Sequence, residues 1–105
     1  MNGVERIAAE RKRQIEKEKY TDIHDDEFWH EQIAEAAACY ALPEKYRDAV
    51  IIFPHPKKLL NAVWPWDDKY WKPTPKNRIR ELEKAGALIA AEIDRLLRLE
   101  DEKNG

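Results

Sequence analysis

The sequence predicts a mostly α-helical small domain of three main helices with a proline- and tryptophan-rich irregular connection. Apolar residues recur at helical spacing toward both ends of the chain, all six prolines lie between residues 43 and 75, and only "VIIFPHP" is rich in β-forming residues. A chain of 105 residues has the usual size of one domain, so residues 1–105 are assigned to a single unit.

The first helix is predicted over residues 2–19, with Asn2 as its N-cap. Its apolar positions recur at helical spacing and are Val4, Ile7, Ala8 and Ile15. Arg11 and Gln14 lie on the same face. Polar groups on an apolar stripe either reach the surface or line a site, so both are candidate binding residues.

The second helix is predicted over residues 26–42. Asp25 or Asp26 is a suitable N-cap, and Pro43 disfavours helical backbone in the residue before it. Cys39, the only cysteine, stands in an alanine run and is expected to be a buried small residue. The predicted inner side of this helix comprises Phe28, Trp29, Ile33, Ala36, Ala37 and Tyr40.

The middle of the chain is expected to be irregular. "PEKYRDAV" suits one short helical turn after Pro43, and "KKLLNAVW" suits another brief helix. "VIIFPHP" is either an extended segment or a minor edge strand, and no second β-rich run offers it a pairing partner. "WPWDDKYWKPTPK" is a long connection with turns fixed by its prolines.

The last helix is predicted over residues 76–99, followed by a frayed polar tail at 100–105. Gly86 disfavours a helix interior by about 1 kcal/mol, which predicts a close approach of another helix or of a ligand. The main apolar stripe is Ile79, Leu82, Gly86, Ile89, Ile93 and Leu97, with Leu88 and Leu96 beside it.

Composition restricts the class of protein. Hydrophobic residues make up 43% and charged residues 38% of the chain, and the formal net charge is -2. This balance argues against dedicated DNA or RNA binding, which normally requires a basic surplus. The N-terminal residues lack an apolar signal core, and no segment approaches the roughly 20 apolar residues of a membrane span, so we expect a cytoplasmic protein without membrane binding.

No catalytic residues, metal ligands or cofactors are assigned from the sequence. The chain has no serine, and its three glycines form no phosphate-binding loop. His24, Asp25, Asp26 and His30 could bind a transition metal, but N-capping explains the aspartates better. The carboxylates on the second and last helices are read as solvated faces rather than as a Mg²⁺ site.

The aromatic segment and the cations after it are the strongest candidate site. Trp66 and Trp71 can stack on a flat ring, and Trp71 is expected to be exposed whereas Trp64 is expected to be core. The alternative is that these rings only fill a small hydrophobic core. Predicted phosphate contacts are Lys72, Lys76, Arg78 and Arg80, beside the start of the last helix. Predicted polar contacts are Arg11, Gln14, His24, Asp25 and Asp26.

The blocks "AAERKRQIEKEKYTDIHDDE", "EAAACYAL", "WPWDDKYWKP" and "RIRELEKAGALIAAEIDRL" resemble, in this order, a group of small uncharacterised proteins of phages and prophages. That resemblance implies a phage origin. Residues 13–44 are similar to the start of ryanodine-receptor-type repeat domains. The helical blocks also resemble all-α nucleotide pyrophosphohydrolases, although the paired ExxE and ExxD motifs of that family are not matched cleanly.

The sequence therefore predicts a phage-type protein that sequesters a nucleotide-derived small molecule without turnover. By analogy with known anti-defence proteins, a host immune signal is the candidate molecule. One alternative is a metal-dependent nucleotide pyrophosphohydrolase that uses Glu31, Glu35, Glu92 and Asp94. A second is a protein-binding module in which the last helix pairs with a partner. A homo-oligomer is also expected, because the last helix carries more apolar surface than a small monomer easily covers.

Overall fold

The computed structural model describes residues 1–18 and 31–104. These residues are predominantly α-helical, which confirms the predicted fold class. The helices are α1 (Gly3–Lys17), α2 (Gln32–Ala41), α3 (Glu44–Arg47), α4 (Leu59–Val63) and α5 (Arg78–Asn104), with a 3-10 turn at Asp68–Tyr70. None of the helices in these two ranges is long and apolar enough to span a bilayer.

A capping box begins α1. The Asn2 side chain accepts a hydrogen bond from the Glu5 backbone N–H, and the Glu5 carboxylate accepts one from the Asn2 N–H, each at 2.9 Å. Two otherwise unpaired N–H groups are thereby satisfied, and the predicted cap at Asn2 is confirmed. The predicted end at Lys19 lies outside the described residues.

The helix α2 ends just before Pro43, as predicted from the effect of proline on the residue that precedes it. Leu42 has extended backbone (φ -63°, ψ 125°) immediately before Pro43, and the short helix α3 follows that proline as predicted. The helix begins at Gln32, because Glu31 has left-handed backbone (φ 65°), so the prediction of one continuous helix over 26–42 is wrong. Phe28 and Trp29 lie outside the described residues. The other predicted inner residues, Ile33, Ala36, Ala37 and Tyr40, are buried, and so is Cys39.

The β-rich run has a partner that its sequence did not reveal. Val50–Ile51 (β1) pairs antiparallel with Lys57–Lys58 (β2), with Val50 opposite Lys58 and Ile51 opposite Lys57. Of the two alternatives predicted for this run, the minor strand is therefore the one found, and its partner is not a β-rich segment. Backbone pairing needs no apolar side chains, so two exposed lysines can form the second strand of a two-residue ladder.

The boundaries of α5 differ from the prediction. Asn77 precedes the helix, and its side chain accepts from the Arg80 N–H at 3.2 Å, so the helix begins at Arg78 rather than at 76. It continues to Asn104 rather than ending at 99, and the predicted frayed tail is helical through that residue. Residues 100–104 contain neither glycine nor proline, and glutamate and lysine are good helix formers.

The core lies between α2 and α5 and is built mainly from small residues. Its buried members are Ile33, Ala36, Ala37, Tyr40, Ala85, Leu88 and Ala91. Alanines allow two helices to approach closely, which leaves little room in the core for large rings. Trp64, Trp66 and Trp71 are accordingly half-buried and pack against the edge of this cluster.

Helices α1 and α5 cross at Gly86. A Cβ atom on Gly86 would lie 2.6 Å from Cδ1 and 2.7 Å from Cγ1 of Ile7, closer than carbon atoms normally approach. The close approach predicted from this glycine is confirmed, and its partner is a helix. Val4 and Ile15, which share the predicted apolar stripe of α1, are exposed.

The face of α5 that turns inward is not its predicted apolar stripe. The buried residues of α5 are Glu81, Ala85, Ala87, Leu88, Ala91, Glu92 and Arg95. The large aliphatic residues of the predicted stripe, among them Ile79, Ile89 and Ile93, are about half exposed. Close packing on the alanines of α2 favours the small-residue face of α5 over the face with bulkier side chains.

Candidate binding pocket

A cavity of about 210 Å³ opens beside the aromatic segment, between α1, α2 and α5. Its wall combines aromatic rings with charged groups from three separate parts of the chain. The lining residues are Glu10, Arg13, Gln14, Glu18, Tyr40, Trp64, Trp66, Tyr70, Lys72, Arg80, Lys84 and Leu88. Four of them are cationic and two are anionic, so the wall has a cationic surplus.

Glu10 organises the charged side of the pocket. Its carboxylate accepts hydrogen bonds from Arg13 Nε at 2.7 Å and Arg80 Nη1 at 2.5 Å, and only 1% of the side chain is exposed. Burial by itself raises the pKa of Glu10, but hydrogen bonds from Arg13 and Arg80 outweigh that effect and hold the pKa below its usual range. The ionised carboxylate therefore fixes two guanidinium groups at the pocket wall.

Gln14 lines the same pocket and carries a buried acceptor. The residue is 3% exposed, and its Nε2 donates to Glu10 Oε2 at 3.2 Å. Its Oε1 is buried and accepts no hydrogen bond from residues 1–18 or 31–104. A buried carbonyl without a donor is costly, so this atom is a natural acceptor for an N–H or O–H group of a ligand.

The opposite wall is aromatic. The Trp64 ring packs edge-on against Trp66, with centroids 5.4 Å apart, and against Tyr40, with centroids 5.9 Å apart. Trp64 Nε1 donates to the Asp67 carbonyl at 3.2 Å, and the Tyr40 hydroxyl accepts from the Lys72 N–H at 3.2 Å. These bonds fix the rings in place and leave aromatic surface facing the cavity, the kind of surface on which flat ligands stack.

Lys84 joins the aromatic and the charged walls. Its Nζ donates to the Lys72 carbonyl at 2.9 Å and lies 5.5 Å from the centroid of the Tyr40 ring. Burial lowers the pKa of Lys84, and the neighbouring Arg80 charge lowers it further. An anion bound in the pocket would relieve this crowding of positive charges, so the wall favours anionic ligands.

The structure brings four of the sequence-predicted site residues into the pocket: Gln14, Trp66, Lys72 and Arg80. Arg11 and Lys76 do not line it. An Arg11 guanidinium nitrogen lies 3.9 Å from an Asp94 carboxylate oxygen, and Lys76 is exposed in the turn before α5. His24, Asp25 and Asp26 lie outside the described residues.

Arg78 serves the fold rather than the pocket. Its guanidinium donates to the Tyr40 carbonyl at 2.8 Å, to the Ala41 carbonyl and to Glu81. The carbonyls at the end of α2 have no partner within that helix, so a cation there satisfies them and interacts favourably with the helix dipole. Arg78 does not line the pocket, and its predicted role as a phosphate ligand stays a prediction.

The roles predicted for Trp64 and Trp71 must be revised. Trp71 was expected to be the exposed stacking ring, but it is half-buried and lies outside the pocket lining. Its centroid is 4.7 Å from that of Tyr40, and the Arg47 guanidinium carbon lies 5.3 Å from it. Trp64 packs on the core as expected but also lines the pocket. The surrounding rings, not the adjacent basic residues, decide which indole stays accessible.

Several pocket residues were missed by the sequence reading, among them Glu10, Arg13 and Lys84. A signal for them existed in the helical spacing. Glu10 and Gln14 are four residues apart on one helix, as are Arg80 and Lys84 on another, so each pair shares a face. The contact between Glu10 and Arg80, 70 positions apart, required the tertiary structure.

The carboxylates of the hydrolase alternative are not brought together. Glu92 pairs with Arg95 at 2.6 Å, Asp94 lies near Arg11, and Glu31 is exposed. Within residues 1–18 and 31–104, no group of three histidine, cysteine, aspartate or glutamate side chains could hold a metal ion. This arrangement does not support the paired carboxylate motifs that such a hydrolase would need.

Comparison of the chain with known protein families, with curated proteins and with solved structures finds no significant match. The fold class and the pocket geometry therefore carry the functional argument, and the resemblance to phage proteins stays an expectation.

Proposed function

We propose that the protein binds a nucleotide-derived small molecule in this pocket and releases it unchanged. The observation that carries the proposal is the composition of one small cavity: aromatic rings, a cationic surplus and the buried Oε1 of Gln14, which accepts from none of residues 1–18 and 31–104. Rings suit a planar base, cations suit a phosphate, and the amide oxygen suits a ring or exocyclic N–H group.

The size of the cavity limits what it can enclose. Its volume of about 210 Å³ is below the roughly 300 to 1,000 Å³ of pockets that enclose drug-sized ligands. One base or ring with its nearest anionic group is the expected enclosed part. A larger ligand, such as a dinucleotide, would extend past Lys72 and Tyr70, both of which are exposed at the pocket wall.

Binding without conversion is favoured over hydrolysis by the chemistry of the wall. The described lining contains no histidine, cysteine, serine or aspartate, and both its glutamates, Glu10 and Glu18, are engaged by Arg13. Glu10, which two guanidinium groups hold at a lowered pKa, is a poor general base. Lys84 and Tyr40 of the same lining are also engaged, because Lys84 Nζ donates to the Lys72 carbonyl and the Tyr40 hydroxyl accepts from the Lys72 N–H.

The expected biological role is sequestration. A phage protein that holds a nucleotide signal of its host out of solution would need tight binding and no turnover, which is the behaviour proposed for this pocket. That role depends on the resemblance to phage proteins. The homo-oligomer expected from the sequence is part of the same proposal, since a multimeric protein binds more signal per assembly.

The test begins with mass spectrometry of small molecules released from the purified protein. Nucleoside monophosphates and cyclic dinucleotides are then titrated while tryptophan fluorescence is recorded, because Trp64 and Trp66 line the pocket. We expect saturable quenching for at least one of them.

A matched pair of lysine variants locates the binding. Lys72→Ala removes an exposed cation at the pocket wall and should weaken binding about fivefold, the value of roughly 1 kcal/mol for an exposed charge contact. Lys57→Ala removes an exposed lysine on β2, away from the pocket, and should leave binding unchanged. Absence of quenching at millimolar ligand, or equal effects of the two substitutions, would show that the proposed site is wrong.

A further inference from the structure

The orientation of α5 is unusual for a helix of a small monomer. It turns Leu88 and the alanines Ala85 and Ala91 toward the rest of the chain and leaves most of its other large aliphatic side chains about half exposed. Burying a Leu or Ile side chain stabilises a fold by roughly 1.5 to 3 kcal/mol, considerably more than burying an alanine. A helix that forgoes this gain within its own chain has bulky residues available for another contact.

Six of the exposed residues lie on one side of the helix, which we call the outer face of α5. Its members are Ile79, Leu82, Ile89, Ile93, Leu96 and Leu97, each between 44% and 60% exposed. With Gly86, the positions from 79 to 96 alternate in steps of three and four, the spacing of a coiled-coil seam. The outer face thus has the periodicity of a surface that packs on another helix.

The area of the outer face is also larger than expected for a surface that stays in water. Six half-exposed Leu and Ile side chains present on the order of 500 Å² of apolar surface, whereas monomers rarely expose more than a few hundred Å² in one patch. A stable interface buries about 800 Å² on each partner. The half of the outer face from Ile89 to Leu97 holds four of the six side chains, so flanking polar residues must supply a large share of that area.

The far end of α5 extends past its own core. Its last buried residue is Arg95, and residues 96–104 are exposed except for the half-buried Arg98. A helix of 27 residues is about 40 Å long at 1.5 Å per residue, close to the 45 Å longest dimension of the molecule. Leu96 and Leu97 therefore lie beyond the last buried residue of α5.

We infer that the outer face binds the outer face of a second copy of this chain, as a two-fold symmetric dimer. A face with a coiled-coil seam is complementary to another such seam, and a two-fold axis places identical surfaces against each other. Ile7 covers the seam at Gly86, so the contact centres on the half of the helix from Ile89 to Leu97.

Charge favours this partner over a membrane. Helix α5 carries seven acidic and six basic residues, so it lacks the cationic surplus with which amphipathic helices bind anionic lipids. The formal net charge of the whole chain is only -2, which produces little repulsion between two copies. Residues of the outer face do not line the pocket, so dimer formation and ligand binding can be tested separately.

The test is the mass of the protein in solution between about 1 and 100 μM, by light scattering and sedimentation equilibrium. We expect twice the 12.4 kDa mass of one chain. Ile93→Glu places a charge in the centre of the outer face and should raise the dissociation constant at least about 100-fold, the effect of losing a central interface residue. Because Ile93 is 52% exposed and lies opposite the core, the helical circular dichroism should persist.

The matched control is Ile52→Glu, the same substitution at a 77% exposed isoleucine outside α5, which should leave the dimer intact. Ile93→Cys provides a second measurement, because a residue near the two-fold axis should form a disulfide with its counterpart. Cys39 is 1% exposed and does not compete. A monomeric wild type throughout this range, or a dimer equally stable with Ile93→Glu, would overturn the inference. A monomer that instead binds anionic vesicles would refute it in favour of a lipid surface.

Discussion

The substitution Glu81→Gln should be among the most damaging single changes in this protein. Glu81 is 1% exposed and accepts four hydrogen bonds. Its Oε2 accepts from Arg47 Nη1 at 2.9 Å and from the Thr74 N–H at 3.0 Å, and its Oε1 accepts from Arg47 Nη2 at 3.1 Å and Arg78 Nη1 at 3.0 Å. This one carboxylate links α3, the proline- and tryptophan-rich connection and α5.

The expected loss of stability follows from two properties of Glu81 that glutamine lacks, a second acceptor oxygen and a negative charge. One of the two oxygens becomes an NH₂ group, which would face two donors instead of accepting from them. The negative charge is also lost, and the Arg47 side chain, 7% exposed, keeps a buried charge without its counterion. Removing one partner of a buried pair costs about 3 to 5 kcal/mol, so we expect a loss of that size, a large part of the 5 to 15 kcal/mol of a typical domain.

The free energy of unfolding is to be measured by urea denaturation with circular dichroism. Glu100→Gln, the same change at an exposed residue of α5, is the control and should alter stability by less than about 0.5 kcal/mol. The double variant Arg47→Met/Glu81→Leu removes both charges and should be more stable than Glu81→Gln, because it leaves no unpaired buried ion. A loss below about 1 kcal/mol for Glu81→Gln would refute this account of the cluster.

Two further predictions concern packing and acid. Gly86→Ala should lower the free energy of unfolding of the wild type by about 1 kcal/mol, because crowding against Ile7 outweighs the gain in helix propensity. In an Ile7→Ala background the same substitution should raise it by about 1 kcal/mol. Urea denaturation measures both values, and destabilisation in both backgrounds would exclude this explanation of the glycine. The folded protein should lose stability in acid. In the folded state the pKa values of Glu10 and Glu81 are held below their ordinary value of 4.5. The stability that these two ionised carboxylates contribute is therefore complete above pH 4.5 and is lost as the pH falls through their folded-state pKa values. Thermal melting between pH 7 and pH 2 measures this, and a melting temperature unchanged below pH 4 would contradict it.

Local signals in the sequence determined the helices and several of their ends. The cap at Asn2, the end of α2 before Pro43 and the close approach at Gly86 each follow from the geometry of one or two residues. A side-chain acceptor at a helix start, a ring that clashes with helical backbone, and a missing Cβ act the same way in any fold. For this reason they could be predicted without knowing what surrounds them.

Only the tertiary structure decided which face of α5 is buried and which tryptophans line the pocket. Both faces of α5 are apolar at helical spacing, and periodicity gives the positions of a stripe but not the surface it meets. The alanine face of α5 is the one that packs on the alanines of α2. Trp71 packs among neighbouring rings and a cation and therefore does not line the pocket, whereas Trp64 and Trp66 do. The charged wall depends on a contact between Glu10 and Arg80, 70 residues apart. Such a contact exists only after the helices pack, because packing alone determines which distant side chains share a desolvated space.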